Sequence, residues 1–171
     1  DSVTPETVAP ALKAAEAKKK APIKPELADL LKRMDEKSSI FVVGLVKGKF
    51  DELKLPGGGN LPVDLSSIQK LLPKTESMSL ALKVGADVNV EVTLGMKDGD
   101  TAGDMRNALD ELIKQVKPLA QLAAAAEPRA KPLGDILNSI KTNSKDKDVT
   151  ITGKVTGANI GKMVKPDPDG Q

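Results

Sequence analysis

Ser77-Met-Ser-Leu-Ala-Leu-Lys-Val-Gly-Ala-Asp-Val-Asn-Val-Glu-Val-Thr-Leu-Gly-Met-Lys97 places an apolar residue at every even position. Ser77, Ser79, Lys83, Asp87, Asn89, Glu91, Thr93 and Lys97 stand among the odd ones. A period of two is the signature of a strand with one buried and one wet face. The pattern runs long enough for two strands, so it predicts an antiparallel hairpin. For the even residues of both strands to share a face, the loop must hold an odd number of residues. Gly85-Ala86-Asp87 is that loop, and it sets Val84 opposite Val88, Leu82 opposite Val90 and Leu80 opposite Val92. A slip of one residue would drive Lys83 and Glu91 into the core.

On the N-terminal side, Ile40-Phe-Val-Val-Gly-Leu-Val46 is apolar at both parities. That pattern predicts a central strand covered on both faces. A helix begins at Pro25 and carries Leu27, Leu30, Leu31 and Met34 as one stripe. Asp64 caps a short helix bearing Leu65, Ile68, Leu71 and Leu72, which Pro73 stops. Residues 47–62 form a loop, loosest at Pro56-Gly57-Gly58-Gly59-Asn60.

Downstream, Thr101-x-x-Asp104 resembles a capping box opening a long helix with the stripe Met105, Leu109, Leu112, Ile113 and Val116. Pro118 is expected to kink or split it, with an Ala-rich stretch continuing to Glu127. A short helix (Leu133, Ile136, Leu137, Ile140), a polar segment 141–147 and the alternating Val149–Val155 complete a second hairpin unit. A weak last helix holds Ile160, Met163 and Val164.

The expected architecture is α+β and two-layered. It has a mainly antiparallel sheet of about five strands, with helices on one face. The helix–strand–strand–helix order at 64–126 recurs at 132–165, which permits a divergent internal duplication of an αββα unit. Residues 25–165 form a single domain between an Ala/Lys/Pro-rich tail (1–24) and a disordered tail (166–171).

Composition restricts the chemistry. The 171 residues include no His, Cys, Trp or Tyr and only two Phe. The commonest near-neutral acid–base group, thiol chemistry and aromatic ligand platforms are therefore absent from the side-chain repertoire. Lys plus Arg exceed Asp plus Glu by 26 to 24, and no aromatics accompany the one basic cluster, Lys18-Lys19-Lys20. Nucleic-acid binding is not expected. No apolar run reaches the length of a membrane span. The chain starts at Asp1 rather than Met, which fits either a cleaved leader or a trimmed start; the first is favoured and gives the expectation of export to a periplasm or cell envelope.

Asp98, Asp100 and Asp104 could offer oxygen ligands to a hard cation. The spacing fails the EF-hand pattern at Ala102 and Leu109, however, and a turn followed by a helix start explains these residues. Gly57-Gly58-Gly59 lacks the Gly-Lys-Ser/Thr of a phosphate loop. The carboxylate pairs Asp35-Glu36, Asp51-Glu52 and Asp110-Glu111 are chain neighbours, which do not face one another on a helix. Without histidine, a serine nucleophile would need lysine. Ser67-x-x-Lys70 and Ser144-Lys145 are the candidates, and neither has the companion motifs of the penicillin-recognising enzymes. No catalytic, metal or cofactor residue is assigned.

Ser79–Gly85 with Val88–Leu94, followed by Ala102–Leu122 and Val149–Val155, resembles uncharacterised exported proteins of planctomycete-type bacteria. Those proteins carry no assigned activity, so the resemblance implies a fold and export only. The expected function is a non-catalytic exported interaction module with a protein partner, using the sheet, an exposed strand edge or the 47–62 loop. One rival is a carrier of small apolar ligands, with an aliphatic pocket between helix 102–126 and the sheet. The other is an enzyme using Asp or Glu with Lys.

Overall fold

The hairpin forms in the expected register: Leu80 lies opposite Val92, Leu82 opposite Val90 and Val84 opposite Val88. The structure, a computed structural model, describes residues 23–51, 53, 63–126 and 131–164, with side chains to residue 161. Residues 1–22 of the expected 1–24 tail, the expected tail over 166–171, the Lys18–Lys20 cluster and the Gly57–Gly59 triplet lie outside the described residues. In chain order the elements are α1 (Pro25–Lys32), β1 (Ile40–Leu45), α2 (Ser66–Leu71), β2 (Thr75–Val84), β3 (Asp87–Met96) and α3 (Gly99–Ala126). There follow α4 (Lys131–Ser139), β4 (Lys141–Lys145), β5 (Asp148–Thr156) and α5 (Gly157–Val164). The fold is α+β, with one antiparallel five-stranded sheet in the order β1-β2-β3-β5-β4.

The even residues of β2 and β3 and the odd residues of β5 form the inner face, since Leu94 pairs with Val149 and Val92 with Ile151. α2 and the first turns of α3 cover its centre. There Met96, Ala102, Met105 and Val149 are fully buried, with Ile68, Leu71 and Leu94 around them. Each of the larger of these aliphatic side chains contributes about 1.5–3 kcal/mol. A bulge between Thr75 and Ser77 extends β2 beyond the regular alternation. It turns Thr75 inward, where its hydroxyl meets the Met96 sulfur at 3.6 Å.

The ends of α3 depart from expectation in two ways. Asp98, not Thr101, caps the helix: its Oδ1 accepts the Thr101 N–H at 2.8 Å, and its carbonyl accepts the Ala102 N–H at 3.1 Å. Thr101 is thereby buried inside the first turn. Pro118 does not split the helix, which continues to Ala126 with the proline ring on an exposed position. At the short helix, Asp64 does act at the N-terminus, accepting the Ser66 N–H at 2.9 Å.

The αββα order occurs twice, as α2-β2-β3-α3 and α4-β4-β5-α5, and the two hairpins meet through their second strands, β3 and β5. β1 is added outside this pair of units, against β2. It is therefore an edge strand, not the central strand that its apolar run suggested. α1 also breaks the one-sided helix arrangement by approaching the outer face. Arg33 pairs with Asp148 of β5 at 2.6 Å, and Asp35 pairs with Lys83 of β2. Both departures have one cause. Phe41, Val43 and Leu45 project from β1 onto the outer face, and α1 approaches that apolar strip with Leu27 and Leu30 half-buried, while Leu31 and Met34 of the expected stripe stay exposed.

Candidate functional site

Strand parity sets two of the three surfaces that could meet a ligand or partner, and a helix pair sets the other. The outer face carries polar rows that run across the sheet. The register aligns Val43, Ser79, Thr93, Thr150 and Asn143 in one row, and Phe41, Ala81, Glu91, Thr152 and Lys141 in the next. α1 crosses one end of this face and leaves a cleft of about 380 Å³ lined by Leu30, Arg33, Leu45, Ser77 and Asp148. The adjoining shallow clefts measure about 400 and 710 Å³. Ion pairs bind several of the charges on this face: Arg33 with Asp148, Lys83 with Asp35, and Lys154 with Asp87 at 2.6 Å. The hydrogen bond from Lys83 holds the Asp35 carboxyl below its usual value and raises Lys83 in turn. The hydrogen bond from Lys154, with the Gly157 N–H, does the same for Asp87. These ion pairs tie the chain just after α1 to the sheet, and β5 to β3.

The second surface is a groove of about 650 Å³ between α2 and α3, lined by Ser67, Lys70, Asp104, Glu111 and Gln115. It brings together the Ser67-x-x-Lys70 pair and one of the three aspartates considered for a cation. Ser67 and Lys70 are both exposed there. Asp98 is occupied as the helix cap, and the Thr101 hydrogen bond holds its carboxyl below the usual value. Asp100 and Asp104 are exposed on the first turns of α3. Among the described residues, no three carboxylates stand close enough to hold a metal ion. Strand alternation separates Ser144 from Lys145 onto opposite faces of β4. Asp110 accepts a hydrogen bond from Thr142 and pairs with Arg106 at 3.2 Å, whereas Glu111 pairs with Lys114 at 2.6 Å. Asp51 is exposed, and Glu52 lies outside the described residues.

The third surface is the β1 end of the inner face. Ile40 and Val42 are 51% and 53% exposed, and Met78 and Val84 on the neighbouring strand are 36% and 60% exposed. Leu80 and Leu82, which pair with Val42 and Ile40, are half-buried between them. A methyl group added at Gly44 would meet nothing within 4 Å. The helices of the inner face therefore stop short of β1, leaving a continuous aliphatic patch uncovered by any described residue.

Among the described residues, nothing pairs with the backbone edge beside this patch. The Val46 N–H donates to the Glu76 carbonyl at 2.9 Å. Alternation then turns the amides of Gly44 and Val42 toward β2, and those of Phe41, Val43 and Leu45 outward. The six residues Ile-Phe-Val-Val-Gly-Leu carry no charge and no proline, the usual guards of an edge strand. Sequence reasoning missed this surface because a run apolar at both parities looks the same in a central strand and in an edge strand awaiting a cover. The signal that could have found it is the repeated αββα order, to which β1 is an addition.

No helix among the described residues is long and apolar enough to cross a membrane. No protein-family model matches the chain, and neither a curated protein nor a solved structure is significantly similar to it.

Proposed function

We propose that the chain is a non-catalytic interaction module that meets a protein partner through the β1 end of its sheet. The observation that carries this reading is the coincidence of two features at one place. The aliphatic patch of Ile40, Val42, Met78 and Val84 adjoins a strand edge with three outward-facing amides. Contiguous apolar patches and unguarded edges are both costly to leave in water, and their usual use is protein contact. The ion pairs and helix caps that occupy Asp35, Asp87, Asp98 and Asp110 are fully explained by holding the fold together, which supports a non-catalytic reading.

The test is affinity capture by the tagged full chain beside its Val42→Lys variant. The reading expects a stoichiometric protein retained by the wild type and lost by the variant. Equal retention by both would contradict it. Recovery of a small apolar molecule as the sole retained species would favour the carrier, with its site between α3 and the sheet.

A further inference from the structure

We propose that the partner of the β1 edge is a second copy of this chain, paired antiparallel across a two-fold axis at Val43. This rests on the β1 end being the contact surface and goes beyond it by naming the occupant.

The argument comes from register. Outward-facing amides recur at every second residue, so β1 offers hydrogen-bonding pairs at Phe41, Val43 and Leu45 alone. Ser39 cannot extend the series, because its N–H donates to the Leu82 carbonyl at 2.7 Å. An isologous pairing places residue i of one copy opposite residue j of the other with a constant sum. Centring the axis on Val43 sets Phe41 opposite Leu45 of the second copy, Val43 opposite Val43, and Leu45 opposite Phe41. All three outward donor–acceptor pairs are then used on each copy. Centring it on Val42 would pair Leu45 with the engaged Ser39 and leave one pair of groups unmet.

Side chains agree with that register on both faces. On the outer face each half-buried Phe41 meets a Leu45, an apolar cross-strand pair of the kind worth about 0.2–1 kcal/mol. On the inner face each Val42 lies opposite a Gly44, where the open space found above would receive it. Ile40 and Val42 then leave water together, joining two incomplete inner faces into one. No charged residue lies on either strand, so self-pairing brings no like charges into contact. The other edge of the sheet, β4, begins and ends with lysine. One open edge per copy predicts a closed dimer rather than a filament.

The experiment combines sedimentation velocity with amide hydrogen exchange on the full chain and two variants. Val43→Pro removes an outward N–H that makes no bond to β2, and Val42→Lys puts a charge on an exposed side chain. Circular dichroism checks that each variant keeps its fold. The wild type is expected to sediment at twice the 18.0 kDa chain mass, with slow exchange at Phe41, Val43 and Leu45. Each variant is expected to weaken association by about tenfold or more and to release the remaining outward amides to fast exchange. A dimer that persists in both folded variants would overturn the proposal. A monomeric wild type with fast exchange at the three amides would also overturn it, while leaving the edge free for a different protein. A monomeric wild type with those amides protected would mean that the chain covers its own edge, and the proposed contact surface would fall as well.

Discussion

β1 and β4 terminate the same sheet, yet one end is finished and the other is not. β4 is five residues long, Lys-Thr-Asn-Ser-Lys, and its inner face is engaged: α3 packs against it, and Thr142 donates to Asp110 of that helix. β1 is six residues long and uncharged; α1 meets its outer side, while Ile40 and Val42 on its inner side are half exposed. Lysines, short length and helix cover are devices that stop an edge from recruiting another strand. β4 has the lysines and a helix on its inner side, whereas β1 has neither there, which points to an edge kept available.

The largest expected difference between the two ends is in stability. Met105→Ala, beneath the closed part of the inner face, should lower unfolding free energy by about 2–5 kcal/mol in a denaturant titration. Val42→Ala should cost no more than about 0.5 kcal/mol at dilutions where the chain is monomeric. Comparable losses would show that Val42 is covered after all. Removing the guards tests the same contrast from the other side. Lys141→Val combined with Lys145→Val gives the sheet a second open edge, and sedimentation should show assemblies larger than a dimer. An unchanged profile would mean that α3, rather than the lysines, protects β4.

A smaller effect is expected from Thr142→Val, which keeps the shape of β4 but removes its hydroxyl from Asp110. It should cost about 1 kcal/mol by thermal or chemical denaturation. The smallest effect is a pH dependence. Asp35, Asp87 and Asp98 are held below the ordinary 3.8 by hydrogen bonds from Lys83, Lys154 and Thr101 respectively. A carboxyl with a depressed folded pKa stabilises the fold above its unfolded pKa of about 3.9. That contribution is lost as pH falls through the lowered folded values. The melting temperature should therefore be level near neutrality and fall in acid, and Asp87→Asn should blunt the fall. An acid limb identical in the variant would remove Asp87 from the account.

The legibility of these features in the sequence follows from how much each residue pattern constrains. Residues 77–97 alternate without interruption, so parity alone gave the faces and the partner of every inward residue from Leu80 to Val92; of the expected loop Gly85-Ala86-Asp87, Asp87 already belongs to β3. The leucine stripes of α1 and α3 were equally plain, because helical spacing is local. Strand order was not. Ile40–Leu45 carries no polar residue to mark a wet face, and an apolar run is silent about whether its cover comes from the same chain. The bulge at Glu76 was hidden because one extra residue leaves no trace in an otherwise alternating pattern. Asp98 and Thr101 are both good caps, and only the position of Met96 at the end of β3 decides that the helix opens at Gly99. The open β1 end could not be anticipated for the same reason that β1 was misplaced: exposure depends on where α3 ends relative to the sheet.

The central claim is that the inner face is closed over β3 and β5 and open over β1. Paramagnetic relaxation of methyl resonances by a soluble agent, recorded on the chain diluted to its monomeric form, reads this directly. The account predicts strong broadening at Ile40 and Val42 beside unaffected Val149 and Met105. Ile40 and Val42 methyls as shielded as that of Val149 would contradict it.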